Sequence, residues 1–402
     1  MSATALPDSS RALALSTFAF TICFAVWTIF SIIGIQIGRE LNLTETQFGL
    51  LAGMPILTGS LVRIVLGVAT DRLGGRRVYT LTMLAAALAT FLLSRAETYP
   101  QLLVAALGVG LAGGSFAVGV AYVSRFFDGA RQGTALGIFG VGNIGAALTK
   151  FLAPFVMLAW GWQATAQIWA AALALTALLF WLLSTDDPVT ASRRGARAPL
   201  RSLRAEFAPL KNLQVWRFSA YYFFSFGAFV ALALWLPHYL IGVYGFDVRT
   251  AGMVGAAYSI PASIFRAYGG VLSDRIGARK VMYATFAVSL VATAILALPA
   301  GVPVGLFLAV IFVLGFFMSL GKAAVYKHIP TYYPQNVGAV GGLVGMIGGL
   351  GGFILPLLFG WLKDQTGLWS SCFAVLFLLV AGCMIWMHAS IRRLPTPALQ
   401  AA

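Results

Sequence analysis

Arg63-Ile64-Val65-Leu66-Gly67-Val68-Ala69-Thr70-Asp71-Arg72-Leu73-Gly74-Gly75-Arg76-Arg77 runs from inside one apolar stretch into a short basic connection. The pattern returns 203 positions later: Arg266, Gly270, Asp274, Arg275, Gly277, Arg279 and Lys280 stand where Arg63, Gly67, Asp71, Arg72, Gly74, Arg76 and Arg77 stood. A second echo follows, with Gly133, Gly137 and Gly140 recurring as Gly338, Gly342 and Gly345 at an offset of 205. A chain that repeats at this distance reads as two related halves, and both copies place an arginine inside an apolar run.

Working outward, the chain is 60% hydrophobic and 10% charged, with 44 glycines and a mean hydropathy of +0.88. Soluble globular chains carry about 25% charged residues, so this composition predicts a polytopic membrane protein. A span needs about 20 predominantly apolar residues. Such runs occur at 12–37, 47–70, 78–95, 100–124, 133–159, 164–184, 214–242, 250–273, 281–299, 302–326, 338–361 and 369–391. They are continuously apolar instead of alternating, which calls for helices over barrel strands. The first run is too long for a signal-peptide core and reads as a retained span. The expected fold is therefore all-α, with twelve transmembrane helices in two pseudo-symmetric six-helix halves: 1–184, a basic linker at 185–213, and 214–402.

Lys and Arg set the orientation. One set of connections holds Arg72, Arg76, Arg77, Arg125, Arg131, the linker residues Arg193, Arg194, Arg197, Arg201, Arg204 and Lys211, then Arg275, Arg279, Lys280, Arg392 and Arg393. The other holds only Arg39, Arg95, Arg249 and Lys363, each close to an acidic residue. Both termini are expected in the cytoplasm, in a multi-pass plasma (inner) membrane protein. This asymmetry accounts for the net charge of +15 without nucleic acid. Cys23, Cys372 and Cys383 and the three histidines show no metal-ligand spacing, no nucleotide cradle is present, and no cofactor is expected. A membrane enzyme has no nucleophile or base constellation here to support it.

Four cations, Arg63, Lys150, Arg266 and Lys322, lie within apolar runs, whereas all twelve Asp and Glu residues fall in connections or at span ends. A charge at mid-membrane costs roughly 2.5–3.5 kcal/mol on insertion scales. Cations without an acidic partner point to an anion that comes and goes. Each also has a plainer reading: a structural ion pair for an arginine, or snorkelling of Lys322 to the nearby end of its span.

The signature Gly67-x3-Asp71-Arg72-x-Gly74-x-Arg76-Arg77 and its copy resemble those of the major facilitator superfamily, where they serve as gate and topology elements. Within it, the chain is similar to the nitrate/nitrite porters of the NarK and NasA kind. Arg63 and Arg266 occupy the places of that family's two substrate arginines. Gly137, Gly140, Gly142, Asn143 and Gly145 match its first glycine-rich nitrate signature, and Gly345, Gly348, Gly349, Gly351 and Gly352 match the second. Glycine spacing of this kind in an apolar span also reads as close helix packing. The resemblance implies alternating access at a midplane site between the halves. It implies a planar anion clamped by the Arg63 and Arg266 forks, with Asn143 donating to it and Phe116, Tyr222 and Phe226 around it.

Lys150 and Lys322 have no partner in the repeat, and Lys322 departs from the family's uncharged pattern. An ammonium can shed a proton where a guanidinium cannot, so both are candidates for coupling. Membrane potential opposes anion uptake by about 2.3 kcal/mol per charge per 100 mV. The expectation is nitrate, and with it nitrite, taken up with protons, by a monomer in the bilayer. Nitrate/nitrite exchange and a carrier of another small anion are the alternatives.

Overall fold

A computed structural model describes residues 8–127, 129–192, 208–299, 301–333 and 337–392. Asp128, Arg393 and the linker arginines 193–204 lie outside the described residues. The apolar runs form helices throughout. Span 1 is Ser9–Trp27 followed by Phe30–Glu40, span 2 Glu45–Leu73, span 3 Gly75–Leu93, and span 4 Tyr99–Val109 with Leu111–Ser124. Span 5 begins as Gly129–Gly140, tightens into a 3₁₀ turn at Val141–Ile144, and resumes in Gly145–Leu183. That last helix is two spans joined at Gly161, whose φ of 82° breaks the ladder and begins span 6. Span 7 covers Leu213–Tyr244. Spans 8 to 12 are Val248–Ile276, Ala278–Leu296, Val304–Tyr332, Val337–Thr366 and Ser371–Arg392.

Among the described residues, ten stretches are long and apolar enough to cross a membrane, one of them, Thr134–Leu183, containing both spans 5 and 6. Span 8 is of full length but less apolar, because Ser259, Ser263 and Arg266 lie along it. The fold is that of an all-α multi-pass membrane protein.

The numerical repeat survives folding. Spans 2 and 8 are both 29 residues long and spans 3 and 9 both 19, and each pair starts and ends 203 positions apart. Their starts are capped alike: Thr44 forms a capping box with Gln47, and Asp247 accepts from the amides of Arg249 and Thr250, satisfying amides that a helix start otherwise leaves open. Their ends turn at Gly74 and Gly277, with φ of 86° and 89°, a region that favours glycine.

The signature aspartates each meet a cation. Asp71 pairs with Arg125 at the end of span 4, and Asp274 with Lys327 in span 10 at 2.5 Å. Arg125 also reaches the buried Asp187 at 3.2 Å. Arg76 donates to the Trp181 carbonyl and stacks on its ring at 4.3 Å. Arg72 and Arg275 are exposed.

The two ends of the molecule differ. At the end away from the termini, spans 2 and 11 touch backbone to backbone: a Cβ at Gly53 would lie 2.9 Å from the Phe353 carbonyl, and Gly49 and Gly360 abut Pro356 and Glu45. Asp364 of span 11 accepts from the Glu45 and Thr46 amides and the Thr46 hydroxyl at 3.1, 2.8 and 2.5 Å. His238 meets Glu45 at 2.7 Å beside it. At the end bearing the termini, Gly67, Gly270, Gly137 and Gly342 face open space, with nothing within 4 Å of an added Cβ. The contacts away from the termini join spans 2, 7 and 11 at that far face.

Candidate functional site

Arg63 lies just past the middle of span 2, and Arg266 holds the same place in span 8. Each side chain crosses to the other half. Arg63 donates to the Gly345 carbonyl of span 11 at 2.9 Å, and its Nη1 lies 3.5 and 3.6 Å from where Cβ atoms would sit on Gly349 and Gly345. Arg266 lies along Gly140 of span 5, its Cδ, Nε and Cζ 3.7–3.9 Å from an added Cβ. Gly140 and Gly345 are the repeat-related members of the two glycine signatures. Here, then, the glycines leave room for a guanidinium arm as well as for neighbouring helices.

The other signature glycines pack closely. Gly142 faces the Phe20 ring, Gly145 the Thr21 and Ala25 backbone of span 1, Gly348 Tyr222, Gly351 Gly227, and Gly352 Val230 and Ile56. Gly137, Gly342, Gly67 and Gly270 do not, since open space lies before them.

Between the arginines is a narrow cleft lined by Phe20, Phe24, Arg63, Phe116, Asn143, Tyr222, Phe226 and Arg266. All six residues expected to hold substrate are brought together there. The 3₁₀ turn in span 5 presents Asn143, 1% exposed. A π turn at Phe223–Ala228 of span 7 carries Phe226, a distortion often found at functional sites. Phe116 is shared: the Arg63 and Arg266 Cζ atoms stand 5.5 and 5.8 Å from its ring centre. Phe226 and Trp27 flank Arg63 at 5.6 and 5.7 Å, and Tyr222 stacks on Phe226 at 5.0 Å. These rings offer their negative faces to the cations and enclose the space in apolar walls.

The polar inventory is unbalanced. Arg63 Nε, Arg266 Nη1 and Asn143 Nδ2 are buried donors without a protein acceptor, a state that costs free energy unless something accepts from them. Among the described residues, no carboxylate forms an ion pair with Arg63, Arg266, Lys150 or Lys322.

Lys150 and Lys322 both have 0% exposure. Lys322 does not snorkel: it lies ten residues before the end of span 10, donates to the Ala262 carbonyl at 2.9 Å and stands 3.3 Å from the Phe229 ring centre. Ala262 is one turn before Arg266, so this ammonium is fixed close to the cavity but within the second half. Lys150 lies farther toward the far face and donates to Ser259 Oγ at 2.5 Å.

Four residues escaped sequence reasoning. Tyr326 touches the Tyr222 ring at 4.9 Å and stands under Arg266 at 5.8 Å; its position four residues after Lys322, on the same helix face, was the available signal. Phe20, Phe24 and Trp27 share one face of span 1 by their spacing, but nothing in that spacing distinguishes a binding wall from packing.

Comparison with known proteins agrees with this architecture. The family model described as Major Facilitator Superfamily matches residues 15–255 and 244–401. The chain is 42% identical to the "Probable nitrate/nitrite antiporter NarK1" of Thermus thermophilus, over 96% of this chain and 93% of that protein. It is 32% identical to the "Probable nitrate transporter NarT" of Staphylococcus aureus, over 92% and 93%. Among solved structures, a bacterial homologue of the human lysosomal transporter Spinster, in an inward-facing and occupied conformation, matches with a TM-score of 0.77 at 17% identity, covering 97% of this chain and 98% of that one. A mutant of the nucleoside transporter NupG matches at 0.73 and 15% identity, covering 94% and 99%. These two share the fold.

Proposed function

The chain belongs to the nitrate/nitrite porters of the major facilitator superfamily, and from that premise we propose that Arg63 and Arg266 grip the transported anion between them. It transports nitrate and nitrite. The observation that carries the site is the set of three unpartnered donors, Arg63 Nε, Arg266 Nη1 and Asn143 Nδ2, around one narrow cleft. Nitrate is flat and monovalent and has three acceptor oxygens. A planar guanidinium from each half meets it in its plane, Asn143 supplies a third direction, and Phe116 and Phe226 exclude water. Because each arginine reaches across the interface, a bound anion ties the halves together, as an occluded step of alternating access requires.

The terminal face, with its basic connections, is the cytoplasmic side of the plasma (inner) membrane by the positive-inside rule, and the contacts between spans 2 and 11 at the far face support an inward-facing reading of this state. The chain acts as a single six-plus-six unit, 1–184 and 214–402 about the basic linker. The signature residues Gly67, Asp71, Arg72, Arg76, Gly270, Asp274, Arg275 and Arg279 serve the cytoplasmic gate.

Two couplings compete. Exchange of nitrate for nitrite is favoured by the unpaired guanidinium groups, since an empty carrier would have to reorient with their charge uncompensated. Proton-coupled uptake is the second reading, resting on Lys150 and Lys322 as ammonium groups buried without an acid. Counterflow in proteoliposomes, with and without a pH gradient, tests both. Exchange predicts nitrate influx only against internal nitrate or nitrite, indifferent to the gradient; influx into anion-free vesicles driven by a pH gradient overturns it. Arg63→Lys and Arg266→Lys each lose the planar fork and are expected to abolish counterflow, whereas a carrier of other anions would show uptake indifferent to excess nitrate and nitrite.

A further inference from the structure

Lys150 is buried where span 5 of the first half meets span 8 of the second. It follows Asn143 by seven residues, and its partner Ser259 precedes Arg266 by seven. Seven residues are nearly two helical turns, about 10.5 Å. The Lys150–Ser259 pair therefore stands directly outward of the Asn143–Arg266 pair, on the same helix faces. Gly255 leaves the slot for it: a Cβ there would lie 2.9 Å from Lys150 Cδ.

The ammonium has three donors and hydrogen-bonds one hydroxyl, which itself donates onward to the Gly255 carbonyl at 3.0 Å. Packing does not demand a charge at this place. The corresponding residues of the repeat are the buried, apolar Ile56 and Leu355.

We propose that Lys150 is an outer docking station for the transported anion, a small monovalent oxyanion, distinct from the Arg63–Arg266 site and used when the carrier faces outward. The inference rests on the reading of that inner site. Lys150 and Ser259 belong to opposite halves, so separation of the halves at the outer face pulls the hydroxyl away from the ammonium. The freed charge then stands in the outer funnel about two turns before the arginines, without an acid to neutralise it, and low-dielectric walls focus its field on arriving anions. As the halves close, Ser259 takes the ammonium back and the anion moves inward to the guanidinium pair. Ser259 is thus the competitor that clears the station.

The test is the initial rate of exchange in proteoliposomes of uniform orientation, with nitrate varied on one side at a time. Lys150→Met is expected to raise the half-saturating nitrate on the outer face about tenfold, the low end of electrostatic focusing, and to leave the inner-face value unchanged. Lys150→Arg, which keeps the charge, retains the low outer value, and Ser259→Ala keeps or lowers it. An unchanged outer value in Lys150→Met overturns the station, and so does a Ser259→Ala that reproduces the Lys150→Met shift, since the pair would then be a latch only. Should Lys150→Met fail to insert, Lys150→Gln takes its place with the same expected readout. Counterflow by the unaltered protein and its loss in Arg63→Lys are measured alongside. Their failure sinks the inner-site reading and the station with it, whereas their success with an unshifted Lys150 variant sinks the station alone.

Discussion

Removing the Asp364 carboxylate should bias the transporter toward its outward-open state. The group belongs to span 11, yet it accepts three hydrogen bonds from the start of span 2: the Glu45 and Thr46 amides and the Thr46 hydroxyl. The amides are among those a helix start leaves without internal partners, and the negative charge faces the positive end of the helix dipole. Hydrogen bonds to a charged group contribute about 1.5–3 kcal/mol each when shielded. Asp364 is exposed, and water takes over the amides once it is gone, so the whole set is better valued at about 1–2 kcal/mol, as for loss of an N-cap. These bonds join the halves at the face away from the termini, so with the proposed orientation that free energy belongs to the inward-open state alone. Asp364→Ala should therefore shift the inward-to-outward ratio by about 5- to 30-fold, and Asp364→Asn, which keeps one acceptor oxygen, by less. Spin labels on cysteines introduced at the exposed Glu97 and Gln365, one on each half, read the outer opening as a distance distribution. The native cysteines Cys23, Cys372 and Cys383 are buried and leave the label to the introduced pair. A distribution unchanged in Asp364→Ala would refute the assignment of this cap as a gate lock.

Three further outcomes are expected. Gly345→Ala puts a methyl 2.7 Å from the Tyr326 hydroxyl and 3.6 Å from Arg63 Nη1, and should weaken nitrate binding about tenfold, equivalent to 1.4 kcal/mol; Gly137→Ala, which meets open space, should bind as the unaltered protein does. Both are read by calorimetry. Asn143→Asp supplies the missing carboxylate between two arginines, so nitrate binding should vanish while the melting temperature rises; retained binding would remove Asn143 from the cavity's polar set. Lys322→Met replaces a buried, acid-free ammonium with an apolar chain of similar length, a change that is often neutral or stabilising; melting temperature should hold or rise while counterflow falls, and unimpaired counterflow would exclude Lys322 from the transport cycle.

The site was legible from sequence wherever the repeat doubled the signal. Arg63 and Arg266 stand out because two copies of one signature fix their distance from Asp71 and Asp274, and they and Asn143 take their candidate roles from the resemblance of these motifs to the porter family's. Aromatic residues without such an anchor were harder to read: Tyr326 and Trp27 look like any packed ring until the fold places them on a guanidinium. The 3₁₀ turn at Val141–Ile144 and the π turn at Phe223–Ala228 are departures from regular helix that propensity does not encode. The Asp364 cap joins residues more than 300 positions apart, and no local pattern announces it. Lys322 was ambiguous because its distance from the span end allowed snorkelling, and only the Ala262 carbonyl and Phe229 ring decide against it.

The crossing of the two arginines bears on ancestry. Arg63 rests on Gly345 and Gly349, and Arg266 on Gly140, so the arm of each six-helix unit rests on a seat of the other. A lone unit would own both parts and could join neither to itself. Two identical copies facing each other would complete the arrangement twice over, around a single twofold axis. The present chain has the form of such a self-complementary pair fused in tandem, with the Lys150–Ser259 pair on one flank alone.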